Sequence, residues 1–249
     1  MIDNTEYEQH GFAIVREIFN GAELASLQAA ADRFVSQVRR VYESADTHRF
    51  DLLDPKLKPH HEYELLNCLD GPNVLGISER ISGGRLWGSA YYINVDSPSM
   101  SWHQDFEYLP KELPEEFNLQ EFREQTPSSQ IQWNLALHDD AVLFIVPGTH
   151  RGTLAPQVQE ILASNQQRPA ELQDIPGALC VALKAGDGIV YHNNLIHGVS
   201  NPNLVKRRTL HWYWVIQGQD DPYDYHRSHI DDDQRPLISP RLFGTADAP

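Results

Sequence analysis

Hydrophobic positions change their spacing about a third of the way along this 249-residue chain. Between residues 22 and 42, Leu24, Leu27, Ala31, Phe34, Val35 and Val38 recur at intervals of three and four, which puts them on one stripe of an amphipathic helix. The short apolar run Gly11-Phe12-Ala13-Ile14-Val15 reads as a strand, and Asn20-Gly21 as the turn that leads into the helix. Residues 46–73 are polar and rich in His, Asp and Pro, and only 63–69 suggest a helix. Another helix is expected to stop at Gly83-Gly84.

Beyond residue 85 the pattern becomes one of short β-type segments, at 86–95, 99–105, 130–138, 142–147, 179–183, 188–192 and 207–216, punctuated by Pro and Gly. Many short strands imply a barrel or a sandwich. Two excursions interrupt them, as lids and binding loops often do: an acidic, Pro-containing one at 107–128, and a Gln- and Ala-rich one at 156–176 with a short helix. The segment after Gln217 reads as irregular surface. One domain covering 1–249 is expected, helical to about residue 84, β-rich to about 217, then a tail.

Charge narrows the partners. Twenty Lys and Arg against 35 Asp and Glu leave a net charge of -15 with no basic block, so nucleic acid is not an expected partner. A pocket can carry a local sign opposite to the whole surface, so a small anionic substrate stays open. Cys68 and Cys180 are too few for a disulfide framework or a thiolate zinc site, which points to free thiols in a reducing compartment. The first seven residues are polar and acidic, unlike a signal peptide, and no apolar run approaches the ~20 residues that span a bilayer. A cytoplasmic protein acting on a small molecule, with no membrane partner, is the expectation. Oligomeric state is not legible.

The chemistry concentrates in Ser101-Trp102-His103-Gln104-Asp105. Side chains two apart on a strand share a face, so His103 and Asp105 can converge. Two imidazoles and a carboxylate form the facial triad of non-haem iron(II), which leaves positions open for a cosubstrate and dioxygen. His197, at the far end of the segment that begins with the turn Ala185-Gly186-Asp187-Gly188, is the best third ligand. His192 is a nearby competitor, read as a core histidine within a strand, and His150 follows a Pro-Gly turn and reads as structural.

An isolated H-x-D carries little weight in a chain with 12 His. Support comes from Arg207, which opens the strand that runs to Ile216, because a guanidinium fork suits the distal carboxylate of a diacid. Alternation separates the adjacent arginines: Leu210, Trp212, Trp214 and Ile216 share the face of Arg208, whereas Thr209, His211 and Tyr213 share that of Arg207. Arg207 is preferred and Arg208 is the alternative. Gln132 and Asn134 alternate with Trp133 and Leu135 and serve either cosubstrate contact or structural hydrogen bonding. Tyr92, Trp102, Phe106 and Trp133 are candidates for an apolar substrate pocket, although strand aromatics more often belong to a core. The glycines at 186 and 188 form no phosphate loop, since no helix with a suitable Lys follows.

Together these segments resemble the phytanoyl-CoA dioxygenase-like branch of the iron(II)/2-oxoglutarate oxygenases, over nearly the whole chain. Residues 7–15 are similar to that family's opening strand, Trp102-His103-Gln104-Asp105 to its metal motif and Val146-Pro147-Gly148-Thr149-His150-Arg151-Gly152 to its Pro-Gly-Ser-His turn. Ala185-Gly186-Asp187 through His197-Gly198 resembles its distal histidine segment, and Asn201 through Leu210 its arginine-bearing end. The resemblance implies a mainly β (α+β) fold, a cupin-like double-stranded β-helix or jelly roll with helices outside the larger sheet. It also implies Fe(II), 2-oxoglutarate and O2, with Arg207 on the oxo acid if the preceding loop is one residue short and Arg208 if it is not. Asn94 matches a position that hydrogen-bonds 2-oxoglutarate in the family.

Two departures stand out: the hairpin before Val142 lacks the usual Asn-Gly, and Thr149 replaces Ser. Both are expected to affect loop geometry more than metal binding. Related halogenases carry a small residue where this chain has Asp105, so hydroxylation is expected rather than halogenation. The competing classes are a non-redox cupin-like metal enzyme and a catalytically degenerate binding relative.

Overall fold

The computed structural model describes residues 4–42, 48–105, 130–164, 172, 174–216 and 229–242. The chain begins with α1 (Asn4–His10), β1 (Phe12–Val15) and α2 (Gly21–Val41). The stripe expected on α2 is the one buried: Leu27, Ala30, Ala31, Phe34, Val35 and Val38. Residues 7–10, taken with the opening strand, lie instead in α1, and the strand starts at Phe12. Then follow β2 (Arg49–Asp51), α3 (Tyr63–Asn67) and α4 (Leu75–Ser82), which ends at Gly83 with φ 68°.

The strands after residue 85 are β3 (Leu86–Val95), β4 (Met100–His103), β5 (Gln130–Ala136), β6 (Asp140–Val146), β7 (Leu179–Leu183), β8 (Gly188–His192), β9 (Ile196–Val199) and β10 (Arg208–Ile216). A helix, α5 (Pro156–Ser164), lies in the second excursion. The first excursion, 107–128, falls outside the described residues. No described helix is long and apolar enough to cross a membrane.

Every strand pairing among the described residues is antiparallel. A six-stranded sheet runs β1-β8-β5-β10-β3-β2 and faces a four-stranded sheet, β4-β9-β6-β7. This is the jelly roll, and alternation along its strands divides the molecule into three packed regions. One face of the larger sheet carries Ile131, Trp133, Leu135, Val190, Leu210, Trp212 and Trp214 against α2, α3 and α4. Trp133 stacks on Trp212 with ring centroids 5.7 Å apart and donates its indole N–H to Ser78 Oγ on α4 at 2.9 Å. The opposite face meets Leu143, Ile145, Val181 and Leu183 between the sheets. Trp102, Phe144, Val146 and Ile196 pack outside the smaller sheet, beneath Val158 of α5.

The turn at Ala185-Gly186-Asp187 locks β1 to the barrel. Gly186 O accepts from Ile18 N and Phe19 N. Its φ is +91°, and a Cβ there would lie 2.1 Å from Phe19 O, so only glycine fits. The tail departs from expectation: Ile230, Ile238 and Leu242 are buried in the helical core, and Leu242 O accepts from Tyr91 Oη at 2.7 Å.

Candidate metal centre

His103 and His197 are directly opposite in the β4–β9 ladder, so backbone pairing alone brings them together. Their rings lie 4.1 Å apart. Asp105, two residues beyond His103, is tied by its backbone N–H to Asn193 O at 2.9 Å. Its Oδ1 is 3.8 Å from His103 Nε2 and its Oδ2 is 3.5 Å from His197 Nε2. One ligand atom from each of the three lies within 4.8 Å of the others.

The tautomers are set from behind. His103 Nδ1 donates to Ser101 O at 2.7 Å and His197 Nδ1 to Leu195 O at 2.9 Å. A carbonyl only accepts, so each Nδ1 holds the proton and each Nε2 presents a lone pair to Asp105. Burial, then the neighbouring His103, push the imidazolium form of His197 down. For Asp105 burial opposes ionisation, while the amide of Gln132 and the Arg49 guanidinium favour the carboxylate. Two neutral imidazoles and a carboxylate with three converging lone pairs are a donor set suited to a divalent cation.

Surrounding side chains fix this arrangement. Gln132 Nε2 donates to Asp105 Oδ2 at 2.7 Å. Gln104 Nε2 donates to Asn194 O at 2.5 Å in the turn that connects β8 and β9. Thr149 Oγ1 donates to Val146 O at 2.6 Å and accepts from Ile196 N at 3.0 Å, beside His197. A serine hydroxyl could do the same, so the threonine leaves the loop's hydrogen bonding intact.

The three groups open into a cavity of about 330 Å³ between the sheets, lined also by Arg49, Asn94, Asn134, Tyr191, Arg207, His211 and Tyr213. Arg207 enters this cavity with Nε 2.7 Å from Asp140 Oδ2. Arg208 points to the other side, to Asp96 Oδ1 at 2.8 Å and, at 3.9 Å, Asp32 of α2. Asn134 lines the cavity with both ends engaged, Nδ2 on Tyr191 Oη at 3.2 Å and Oδ1 on His211 Nδ1 at 2.9 Å. Gln132 is not on the cavity wall; it sits behind Asp105.

The aromatic expectations fare differently. Tyr92 shares the inner face with Asn94 and carries the Arg49 guanidinium 4.0 Å above its ring. Trp102 and Trp133 are not pocket residues: each faces away from the cavity, Trp102 into the cluster under α5 and Trp133 into the helical core. Phe106 lies outside the described residues. His192 closes β8 rather than lying within it, and accepts from Asn194 N at Nδ1; it is not among the clustered ligands. His150 Nε2 meets Glu8 O at 3.2 Å, a structural placement. Arg49 was missed: its three-residue strand has no alternation to reveal it.

A jelly roll whose cavity brings two histidines and an aspartate together has the fold of a double-stranded β-helix protein and a donor set that could hold a metal ion. The phytanoyl-CoA dioxygenase (PhyH) family model matches residues 7–208, and the chain belongs to that family. It is 26% identical over 202 residues to the peroxisomal phytanoyl-CoA dioxygenase of Mus musculus, covering 78% of this chain and 52% of that protein. The chain thus spans about half the length of the curated relative it matches. Similar solved structures include HygX from Streptomyces hygroscopicus with nickel and 2-oxoglutarate bound (TM-score 0.64, 14% identity, 86% of each chain). EctD from S. alaskensis with 2-oxoglutarate and 5-hydroxyectoine is also similar (TM-score 0.61, 15% identity, 86% of this chain and 74% of that one). So is the carbocyclase SnoK from nogalamycin biosynthesis (TM-score 0.59, 16% identity, 92% and 89%).

Proposed function

We propose that this chain is an iron(II)- and 2-oxoglutarate-dependent dioxygenase that hydroxylates an unactivated C–H bond of a small molecule. The observation that carries the reading is the shared cavity: His103, Asp105 and His197 converge at one end and the Arg207 guanidinium enters the same space. The donor set fits iron(II), and the arginine fits the distal carboxylate of a diacid. Family membership and the ligands named for HygX and EctD support the same assignment.

In this reading His103, Asp105 and His197 hold the metal, and Gln132 keeps Asp105 oriented. Arg207 faces the cosubstrate, with Asn94 and Asn134 on the adjoining wall. Iron(II) with 2-oxoglutarate supplies the oxidation when bound: dioxygen is consumed, the oxo acid leaves as succinate and carbon dioxide, and one oxygen atom enters the substrate. The protein contributes orientation within the cavity between the sheets. Tyr191 stays protonated, because burial and then Asp105 push its phenol up, and His211 stays neutral, because burial and then Arg49 push it well down. Both are therefore hydrogen-bonding groups at neutral pH.

The test is anaerobic addition of iron(II) and 2-oxoglutarate, watched for the weak visible charge-transfer band, followed by succinate measurement on admitting oxygen. Both signals are expected. Absence of the band and of any uncoupled succinate would overturn the assignment, and zinc-dependent turnover without 2-oxoglutarate would replace it with a non-redox enzyme.

A further inference from the structure

Arg49 opens β2 at the edge of the larger sheet, and its side chain lines the same cavity as the metal site. It is held at one corner. Nη2 donates to Tyr213 Oη at 3.0 Å, and Cζ lies over Tyr92, 4.0 Å from the ring centroid. The corner itself is fixed. Tyr213 Oη, accepting from Arg49, pairs with His211 Nε2 at 3.0 Å, and His211 Nδ1 pairs with Asn134 Oδ1 at 2.9 Å. An amide oxygen only accepts, so Nδ1 carries the proton of the neutral imidazole and Nε2 takes the phenol's.

The guanidinium has five donors and only one is committed in this way. No carboxylate among the described residues forms a salt bridge with Arg49, whereas Arg207 has Asp140 and Arg208 has Asp96. Asp105, which acts on it through the cavity, is engaged with two imidazoles and Gln132. A guanidinium seated over an aromatic ring, with uncommitted N–H donors in a cavity, is poised for a bidentate carboxylate.

Position separates this site from the cosubstrate's. Arg207 is 4% exposed and paired with Asp140, while Arg49 is anchored on Tyr213, six residues further along the same segment and on the same face. A five-carbon diacid held by the metal at one end and by Arg207 at the other has no carboxylate left for Arg49. We propose that Arg49 recognises the carboxylate of the primary substrate, so that the substrate is a small carboxylic acid held by its anionic end beside the metal. This rests on the assignment of the metal and Arg207 to the cosubstrate.

The test is calorimetric. Protein loaded anaerobically with iron(II) and saturating 2-oxoglutarate is titrated with butanoate, hexanoate and octanoate, and with their primary amides. Wild type is expected to bind carboxylates at least about tenfold more tightly than amides. Arg49→Gln should abolish that preference and Arg49→Lys should keep part of it, while the 2-oxoglutarate dissociation constant moves less than about threefold. Thermal melts confirm that the variants fold. Equal binding of acids and amides, or a preference that survives Arg49→Gln, overturns the proposal. So does Arg49→Gln weakening 2-oxoglutarate about tenfold with carboxylate binding unchanged, which would give Arg49 to the cosubstrate. Failure of wild type to take up metal or 2-oxoglutarate overturns the oxygenase assignment instead; the same titrations on unloaded protein then decide whether Arg49 binds carboxylates.

Discussion

Asp140 Oδ2 lies 2.7 Å from Arg207 Nε, and each side chain is only 4% exposed. The same oxygen accepts from Thr209 Oγ1 at 2.9 Å, and Oδ1 accepts from Val142 N at 3.1 Å. Asp140 occupies the hairpin where the family resemblance leads one to expect Asn-Gly. The departure therefore does more than alter a loop, since it places a carboxylate beside the arginine proposed to bind 2-oxoglutarate. Bonding through Nε leaves the terminal nitrogens available, so Asp140 orients Arg207 without covering its fork.

Removing that carboxylate strands a buried cation. Asp140→Ala is expected to destabilise the fold by about 3 kcal/mol and to weaken 2-oxoglutarate binding. Asp140→Asn, which keeps an acceptor for Thr209, should lose less of both. Urea denaturation and cosubstrate titration measure the two effects. Unchanged 2-oxoglutarate affinity in a folded Asp140→Ala protein would reduce Asp140 to a structural role.

Metal affinity should report Gln132 in the same manner. His103→Ala and His197→Ala are expected to abolish iron binding. Gln132→Leu, which removes the donor to Asp105 Oδ2, should weaken it by roughly 10- to 100-fold, the usual effect of losing a group that orients a ligand. Nickel titration by calorimetry avoids oxidation. If Gln132→Leu binds nickel as wild type does, Asp105 is positioned adequately by its backbone contact with Asn193.

The contrast between the two arginines is also measurable. Arg207→Ala is expected to raise the 2-oxoglutarate requirement at least about tenfold, whereas Arg208→Ala should act mainly on stability through Asp96 and Asp32. The reverse result would mean that the cosubstrate is held from the other face of β10.

Much of this was legible because alternation is a strong signal where strands are long. β3, β7 and β8 begin and end where the apolar pattern places them, and the same alternation separated Arg207 from Arg208. Alternation also implies that if His103 points inward, Trp102 points outward, and that if Gln132 and Asn134 face the cavity side, Trp133 faces the helices. Short elements were harder. β2 has three residues, and β9 is four buried residues following a tight turn, so neither offers a period to read. Arg49 reaches the cavity, and Asp140 reaches Arg207, through tertiary pairing between segments far apart in the chain, which no local pattern encodes.

Trp133 provides a check on that division. Trp133→Phe keeps an aromatic ring against Trp212 but deletes the hydrogen bond to Ser78, and should cost about 1–2 kcal/mol of stability with no change in 2-oxoglutarate or metal affinity. A selective loss of substrate binding, with stability intact, would return Trp133 to the pocket.

The last prediction concerns pH. Asp187 receives Arg16 Nη1 at 2.6 Å and Lys184 N at 2.9 Å on Oδ2, and Glu17 N at 2.9 Å on Oδ1. Burial opposes its ionisation, but the Glu17 amide, Arg16 and the Lys184 amide outweigh it and hold the carboxyl below its usual range. Arg16 is 54% exposed, so solvent screens that ion pair and the backbone amides account for most of the effect. Because the folded pKa is the lower one, the stabilisation is complete above the unfolded value, ~3.9, and is lost as pH falls through the folded value. Asp187→Asn should therefore be about 1–3 kcal/mol less stable than wild type at pH 7, with the gap closing below about pH 4 and changing little with salt. Denaturation at several pH values measures it. A deficit that persists undiminished in acid would show that the substitution distorts the turn at Gly186 rather than removing a charge.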